Sequence, residues 1–155
     1  KILAPGLRLG FLAASEDLFT QLVRVKQATD LHSSRLGQRV AASALTDPGW
    51  DARLRELVAF YRGRRDGFDA ALRNHLGDLA TWEVPEGGLF FWLRLNNPTD
   101  TRQLLPRALE QSVAFMPGED FYPGAAEPGR LRLNYSHASA DAAERGLATL
   151  ASLLR

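Results

Sequence analysis

The hydrophobic pattern of the first third of the chain predicts a strand followed by two helices. Residues 7–14 are mostly apolar, which is typical of a short buried strand. Ser15 is followed by two acidic residues and is a favourable helix N-cap, so we expect a helix from there to about residue 30. A second helix is expected to begin at Ser33 or Ser34 and to end at the Asp-Pro-Gly sequence of residues 47–49.

The rest of the chain begins with a long helical pattern and then becomes mixed. Apolar residues recur every three or four positions over residues 51–76, which predicts an amphipathic helix that Gly77 ends. Beyond it the pattern predicts strands at residues 80–84, 89–95, 113–116 and 130–135, a loop at 117–128, and helices at 100–111 and from 139 onward. This order is typical of a small α+β domain, in which helices pack on a short sheet.

Composition narrows the class of protein. The 155 residues include 19 basic and 18 acidic side chains, and the resulting net charge of +1 gives no reason to expect nucleic acid or a membrane surface as a partner. The absence of cysteine from the sequence excludes disulfides, thiolate metal sites and cysteine nucleophiles. We find no metal-ligand spacing and no apolar run of the roughly 20 residues that a membrane span needs. The first residue is lysine rather than methionine, so we expect the sequence to be part of a longer chain.

The first residues contain a candidate cofactor site. Lys1 and Arg8 flank a turn built on Pro5 and Gly6. A lysine amine can form a Schiff base with an aldehyde, and the donor fork of an arginine suits a phosphate. The turn could therefore direct both groups to one ligand that carries an aldehyde and a phosphate. From these residue types alone, a solvated lysine and a structural arginine are the more usual interpretation.

A second candidate lies in the last predicted strand. Arg130 and Arg132 alternate with leucines, so the two arginines are expected to share one face of the sheet. An arginine binds a carboxylate through two parallel hydrogen bonds, which is the directional contact that recognition of an amino acid needs. Either arginine could instead be a surface charge.

Four segments resemble one enzyme superfamily. The start of the chain, KILAPGLRLGF, closely resembles the stretch that carries the cofactor lysine in the fold-type I pyridoxal-phosphate (PLP) enzymes, the aspartate aminotransferase superfamily. The segments PEGGLFFW from residue 85, VAFMPGEDF from 113 and RLRLNYS from 130 are similar to its later motifs in order and spacing. The chain looks most like the 2-aminoadipate, branched-chain and aromatic aminotransferases. The PLP-binding half of the MocR-type transcription regulators resembles it almost as well.

The resemblance implies a fold and a setting. It implies an α/β fold, the C-terminal part of a PLP-dependent transferase fold. Residues 1–49 would be the end of the large PLP-binding domain with the interdomain helices, and residues 50–155 the small C-terminal α+β domain. It further implies a cytoplasmic homodimer without membrane or nucleic-acid contacts from this part of the chain.

The resemblance also implies an activity and roles for three residues. Lys1 would hold PLP covalently and act as the catalytic acid and base, and Arg8 would bind the cofactor phosphate. The position of Arg132 relative to Asn134 and Tyr135 favours it over Arg130 as the residue that binds the substrate carboxylate. The implied function is transfer of an amino group between an amino acid and a 2-oxo acid. The alternatives are a PLP lyase or decarboxylase on the same fold, and the effector domain of a MocR-type regulator.

Two further expectations follow from the resemblance. The family's ring-stacking aromatic residue, its aspartate partner of the pyridine nitrogen and its tyrosine near O3′ all precede the lysine. We therefore expect the 155 residues alone to bind PLP weakly and to transaminate poorly. Leucine, phenylalanine and tryptophan dominate the pocket candidates, which favours a substrate with an apolar or aromatic side chain.

Overall fold

The chain folds into two compact units that divide within one long helix. The structure is a computed structural model and describes residues 3–155. Within this range it contains five α-helices and four strands. The division falls between Leu57 and Val58, inside helix α3 (Trp50–Leu76). The two domains expected from the sequence, 1–49 and 50–155, stay a prediction.

The first unit is helical, and the strand predicted over residues 7–14 is wrong. Pro5–Leu7 form a 3₁₀ turn, and residues 8–14 have no regular structure. Phe11 is 99% exposed, whereas a buried strand would cover it. A strand needs a neighbour for its backbone hydrogen bonds, and all four strands among residues 3–155 lie beyond residue 79.

The two helices predicted for this unit are confirmed. They are α1 (Glu16–Thr29) and α2 (Arg35–Leu45). Ser34 caps α2, because its hydroxyl oxygen accepts a hydrogen bond from the Gly37 N–H at 3.2 Å. The predicted stop after α2 is also confirmed, and a carboxylate oxygen of Asp47 accepts from the backbone N–H of Gly49 there at 2.8 Å.

The long helix α3 ends where the sequence predicts. Gly77 follows its last residue, and a Cβ at this position would lie 2.7 Å from the carbonyl oxygen of Arg73. Real Cβ atoms essentially never come this close, so the chain can leave the helix here only through glycine.

The second unit contains a four-stranded antiparallel sheet. Its strands, in the order β1-β2-β4-β3, are β1 (Ala80–Trp82), β2 (Phe90–Leu95), β4 (Arg130–Asn134) and β3 (Met116–Pro117). The remaining helices are α4 (Thr101–Glu110) and α5 (Ala140–Leu154). All these elements were predicted, although β1 is shorter than expected and the observed β3 shares only Met116 with the strand predicted at residues 113–116. None of the helices within residues 3–155 combines the length and apolar character that crossing a bilayer requires.

The two faces of the sheet carry different side chains, and the candidate site lies on the face away from the hydrophobic core. Alternate residues of the central strands, such as Phe91 and Leu131, are fully buried in the hydrophobic core of the unit. Helical residues of α3, α4 and α5 complete this core, among them Phe68, Leu72, Leu76, Leu104, Ala108, Leu147 and Leu150. The opposite face carries Arg130 and Arg132, as the alternation predicted.

A second 3₁₀ turn, Gly118–Phe121, lies in the segment predicted as a loop. It begins directly after β3, whose Pro117 pairs with Leu131 of β4. A Cβ on Gly118 would lie 2.3 Å from the Cβ of Arg130. The glycine therefore allows the turn to approach β4 much more closely than any other residue would.

Candidate active site

The cofactor candidates lie at the start of the first unit. Lys1 falls outside the described residues. Arg8 follows the Pro5–Leu7 turn in a left-handed conformation (φ 52°, ψ 33°), and its backbone N–H donates to the Pro5 carbonyl at 3.2 Å. The turn expected at Pro5 and Gly6 is therefore confirmed. Arg8 is exposed, so its guanidinium donors are accessible to an anionic group such as a phosphate.

The carboxylate candidate Arg132 lies in the second unit and contacts two aromatic rings. Its guanidinium carbon is 4.2 Å from the centroid of the Phe90 ring and 4.5 Å from that of the Phe121 ring. Contacts of this length are cation–π interactions, which are worth roughly 0.5–2 kcal/mol depending on desolvation. The two rings therefore restrict the orientation of the guanidinium plane.

The guanidinium of Arg132 also has an unused donor. Among the residues that the structure describes, its Nε is the one side-chain nitrogen or oxygen that is buried and has no hydrogen-bond partner. Leaving a buried donor unsatisfied costs about 1–3 kcal/mol, and more for a charged group. A carboxylate would relieve this cost, because it can accept from Nε and a terminal nitrogen of the same fork.

Arg130, two residues earlier on the same face, is already paired. Its Nε and Nη2 both donate to one carboxylate oxygen of Glu127, at 3.1 and 2.6 Å. The hydrogen bond to Arg130, its charge and the more distant charge of Arg94 hold the pKa of Glu127 below its usual value. The sequence places both arginines on the same face of the sheet. In the structure they differ, because within residues 3–155 only Arg132 keeps a buried donor without a partner.

The aromatic residues around Arg132 come from β2 and the Gly118–Phe121 turn. Trp92 lies opposite Arg132 in the β2–β4 pair, and its ring meets that of Phe121 edge-on, with centroids 5.5 Å apart at 88°. Taken as a short apolar run, the sequence predicts that Phe90, Phe91 and Trp92 are mainly core residues. Only Phe91 is fully buried, whereas Phe90 and Trp92 point to the arginine face and are half-buried.

The alternation of β2 could have corrected that prediction. Because side chains of a strand alternate between faces, Phe90 and Trp92 cannot share the face of Phe91. The contact of Phe121 with Arg132 has no such signal in the sequence, because it depends on how the Gly118–Phe121 turn folds back onto β4.

The segment before Phe90 is fixed by contacts to its backbone. The hydroxyl of Tyr135 donates to the Gly88 carbonyl at 2.5 Å, and the Tyr135 N–H donates to the Leu89 carbonyl at 3.1 Å. The two consecutive glycines before β2 predict a turn in which both have positive φ. Gly88 has φ 89°, as expected. The expectation is wrong for Gly87, since the glycines with positive φ within residues 3–155 are Gly88 and Gly129.

Neither unit offers an obvious metal site. Over residues 3–155, no group of three or more histidine, aspartate or glutamate side chains is placed to hold a metal ion. Arg8 belongs to the first unit and Arg132 to the second, and each is described within its own unit.

The motifs and the site place the chain in a known enzyme family. Residues 1–150 match the family model for aminotransferases of class I and II. The chain belongs to this family, which confirms the resemblance drawn from its motifs.

Individual relatives agree with this assignment. The chain is 32% identical over its whole length to aromatic-amino-acid aminotransferase 1 of Thermococcus litoralis, and it covers 37% of that protein. It is 31% identical over its whole length to an uncharacterized HTH-type transcriptional regulator of Bacillus subtilis, and it covers 32% of that protein. The chain therefore spans between a third and two fifths of the curated relatives it matches.

A solved structure confirms the α/β fold class. The structure of the alpha-aminoadipate aminotransferase LysN from Thermus thermophilus, complexed with N-(5'-phosphopyridoxyl)-L-leucine, superposes with a TM-score of 0.86 at 32% identity. The superposition covers 99% of this chain and 39% of that one.

Proposed function

We propose that this chain is part of a PLP-dependent aminotransferase, which moves an amino group between an amino acid and a 2-oxo acid. The observation that carries the proposal is the guanidinium of Arg132, which contacts two aromatic rings and keeps a buried donor unsatisfied in a chain of the aminotransferase family. Amino acids and 2-oxo acids share one group, a carboxylate beside the reacting carbon. A single arginine fork can therefore serve both halves of the reaction.

In this proposal three residues have separate roles. Arg132 binds and orients the substrate carboxylate, and Arg8 holds the cofactor phosphate, for which its exposed donors are chemically suited. The Lys1 amine attaches the cofactor and moves a proton between the substrate Cα and the cofactor C4′. When bound, PLP supplies an electron sink for the charge that develops at the substrate Cα.

The role of Arg132 is tested by substituting each of the two arginines in turn. We expect the Nε–H resonance of Arg132 in the full chain to shift when L-phenylalanine is added, and not with phenethylamine, which lacks the carboxylate. Measured by isothermal titration calorimetry, which does not depend on the arginine resonance, Arg132→Lys should weaken binding roughly 10- to 100-fold, because a charge-assisted hydrogen bond is worth about 1.5–3 kcal/mol and lysine lacks the fork. Arg130→Lys should change the dissociation constant by less than about twofold, since Arg130 is paired with Glu127. Equal losses in both variants would contradict the proposal.

The class of reaction needs a separate test. An L-amino acid added to the PLP-loaded full-length protein should yield pyridoxamine phosphate and a 2-oxo acid in equal amounts. Release of carbon dioxide or ammonia without pyridoxamine phosphate would instead indicate a decarboxylase or a lyase.

A second candidate function is a PLP-binding effector domain of a transcription regulator. It is favoured by the 31% identity to the Bacillus subtilis regulator over the whole chain. Binding of the full-length protein to DNA, together with no formation of pyridoxamine phosphate, would favour this candidate over the enzyme.

We further propose that the protein works as a cytoplasmic homodimer. The proposal rests on the resemblance to fold-type I enzymes and on the many exposed apolar side chains between residues 11 and 45. Sedimentation equilibrium of the full-length protein should give twice the mass of one chain, and cell fractionation should recover it with the cytoplasmic proteins.

A further inference from the structure

The Gly118–Phe121 turn is tied to the start of helix α4 by two side chains. One carboxylate oxygen of Glu119 accepts from the backbone N–H of Thr101 at 3.2 Å, and the other pairs with the Thr101 hydroxyl. In the next pair, Nε and Nη2 of Arg102 donate to one oxygen of Asp120, at 3.0 and 2.8 Å. Consecutive residues of the turn therefore contact consecutive residues of the helix.

Thr101 extends this connection to the strand that carries Arg132. Its hydroxyl oxygen lies 3.0 Å from the carbonyl oxygen of Arg130 and also contacts Glu119, so its single proton is shared between these two acceptors. Thr101 is fully buried. Among the described residues it is the one buried residue that is polar. One buried threonine thus joins the helix, the turn and β4. Burying a hydroxyl without partners would be costly, so the arrangement is stable only while these contacts persist.

The position of Phe121 depends on this connection. Phe121 is the last residue of the turn, and its ring contacts the guanidinium of Arg132. The side chain is 45% exposed, so its own burial holds it only weakly. The contacts that fix the turn lie one and two residues earlier, at Asp120 and Glu119.

We propose that Thr101 and Glu119 are positioning residues of the carboxylate site. They hold the turn so that Phe121 stays against the guanidinium of Arg132 and keeps its donor fork oriented before the carboxylate arrives. An arginine side chain loses conformational entropy when it is immobilised, and an ordered fork has lost much of it before binding. The inference rests on the proposed carboxylate-binding role of Arg132, and neither residue touches the substrate.

The test compares three variants of the full chain by their affinity for L-phenylalanine, measured from the shift of the Arg132 Nε–H resonance. Thr101→Val removes the hydroxyl with little change of shape, and we expect the dissociation constant to rise roughly 3- to 10-fold. Thr101→Ser restores the hydroxyl and should bring the affinity back to within about twofold. The indole N–H resonance of Trp92 should also move in Thr101→Val, because the Trp92 ring contacts that of Phe121.

Ser139→Ala is the matched control. It removes a hydroxyl that caps α5 by accepting from the Ala142 N–H at 3.2 Å, away from the turn. The cap stabilises the helix, so this variant should lower the urea midpoint while the affinity stays that of the parent chain. A loss of affinity as large in Ser139→Ala as in Thr101→Val would overturn the proposal, since general destabilisation would then explain both.

The outcomes separate this proposal from the one it rests on. If the Arg132 resonance of the parent chain does not respond to L-phenylalanine, the carboxylate role of Arg132 fails. If it responds and Thr101→Val binds with unchanged affinity, the positioning role alone fails. Should Thr101→Val not fold, Glu119→Gln provides the same comparison, because it keeps the shape and replaces one of the two acceptor oxygens with a donor. Unchanged affinity in a folded Glu119→Gln would equally overturn the proposal.

Discussion

At the scale of single residues, the site is defined by what surrounds two identical side chains. Arg130 and Arg132 have the same chemistry and lie on the same face of β4. Glu127, three residues before Arg130, accepts hydrogen bonds from the guanidinium of Arg130. The aromatic rings of Phe90 and Phe121 surround the second without offering it a hydrogen-bond acceptor, and this leaves its Nε for a ligand. The ion pair at i, i+3 was visible in the sequence and could have strengthened the choice of Arg132.

The residue that would hold the cofactor can be tested because the sequence contains two lysines, Lys1 and Lys26. Lys26 is engaged with Asp30 and also donates to Ser33 at 3.1 Å. We expect borohydride reduction in the presence of PLP to label Lys1 in preference to Lys26, as measured by peptide mass spectrometry. Lys1→Ala should lose the label, and Lys26→Ala should keep it. Labelling that follows Lys26 would exclude the role proposed for Lys1.

Tyr135 makes the second unit sensitive to alkaline pH. Burial raises the pKa of its phenol above the ordinary value of 10.0, and its neutral hydroxyl donates to the Gly88 carbonyl. A raised pKa stabilises the folded chain at pH values below the unfolded pKa, and this stabilisation is lost as the pH rises from there through the folded pKa. Relative to Tyr135→Phe, the parent chain should be more stable by about 1 kcal/mol at neutral pH, with the advantage declining above about pH 10. Urea denaturation at several pH values measures this, and Tyr122→Phe is the control. A difference that stays constant well above about pH 10 would contradict the assignment.

At the scale of elements, the close approach of the Gly118–Phe121 turn to β4 depends on one glycine. A Cβ at residue 118 would lie within 2.3–2.7 Å of the Arg130 side chain and backbone, so Gly118→Ala must push the turn away from the strand. We expect it to lower the free energy of unfolding by about 1–3 kcal/mol and to weaken carboxylate binding.

Gly124→Ala is the matched control for this substitution. No atom lies within 4 Å of the position of its Cβ, and the expected change in stability is less than about 0.5 kcal/mol. Both variants are compared by urea denaturation. Similar stabilities would mean that the turn can move without cost, which would contradict the close packing at residue 118.

The elements that the sequence predicted correctly are those set by local chemistry. Helix periodicity, the Ser34 cap, the Asp-Pro-Gly stop after α2 and the glycine after α3 placed every helix to within a few residues. The strand predicted at residues 7–14 failed because an apolar run says nothing about a hydrogen-bonding neighbour, and residues 3–57 contain none. The sequence placed the Gly118–Phe121 turn correctly within a loop, but it could not predict how the turn packs, because contacts with α4, 18 residues away in sequence, hold it.

The candidate site likewise has one feature that the sequence predicted and one that it did not. The common face of Arg130 and Arg132 follows from alternation and was predicted. The contact of Arg132 with both Phe90 and Phe121 brings together three separate segments of the chain, and no local pattern encodes that.

At the scale of the whole molecule, apolar surface is distributed unevenly between the two units. Ten of the sixteen exposed large hydrophobic residues within residues 3–155 lie between Phe11 and Leu45, and six lie beyond residue 57. Within residues 3–57 the one fully buried residue is Gly37, whereas residues 58–155 contain the entire hydrophobic core. The stabilisation that comes from burying apolar area is therefore concentrated in the second unit.

Because buried apolar area is concentrated in the second unit, we expect the first unit to unfold locally while the second stays folded. Amide hydrogen exchange of the full chain should be at least about tenfold faster in α1 and α2 than in β2 and β4, because local stability follows buried contacts. Limited proteolysis should likewise cleave first before residue 58 and leave a resistant fragment that contains the sheet. Uniform protection across both units would contradict this prediction.

The outer strands of the sheet have a consequence for how this chain behaves at high concentration. An edge strand is a template for pairing with another molecule, but β1 has three residues and β3 has two, one of which is Pro117 without an N–H. Such edges offer too few donors and acceptors in a row to nucleate cross-β assembly. Self-association of the chain would therefore proceed through the exposed apolar surface of the first, helical unit, and the sheet would stay intact inside any aggregate.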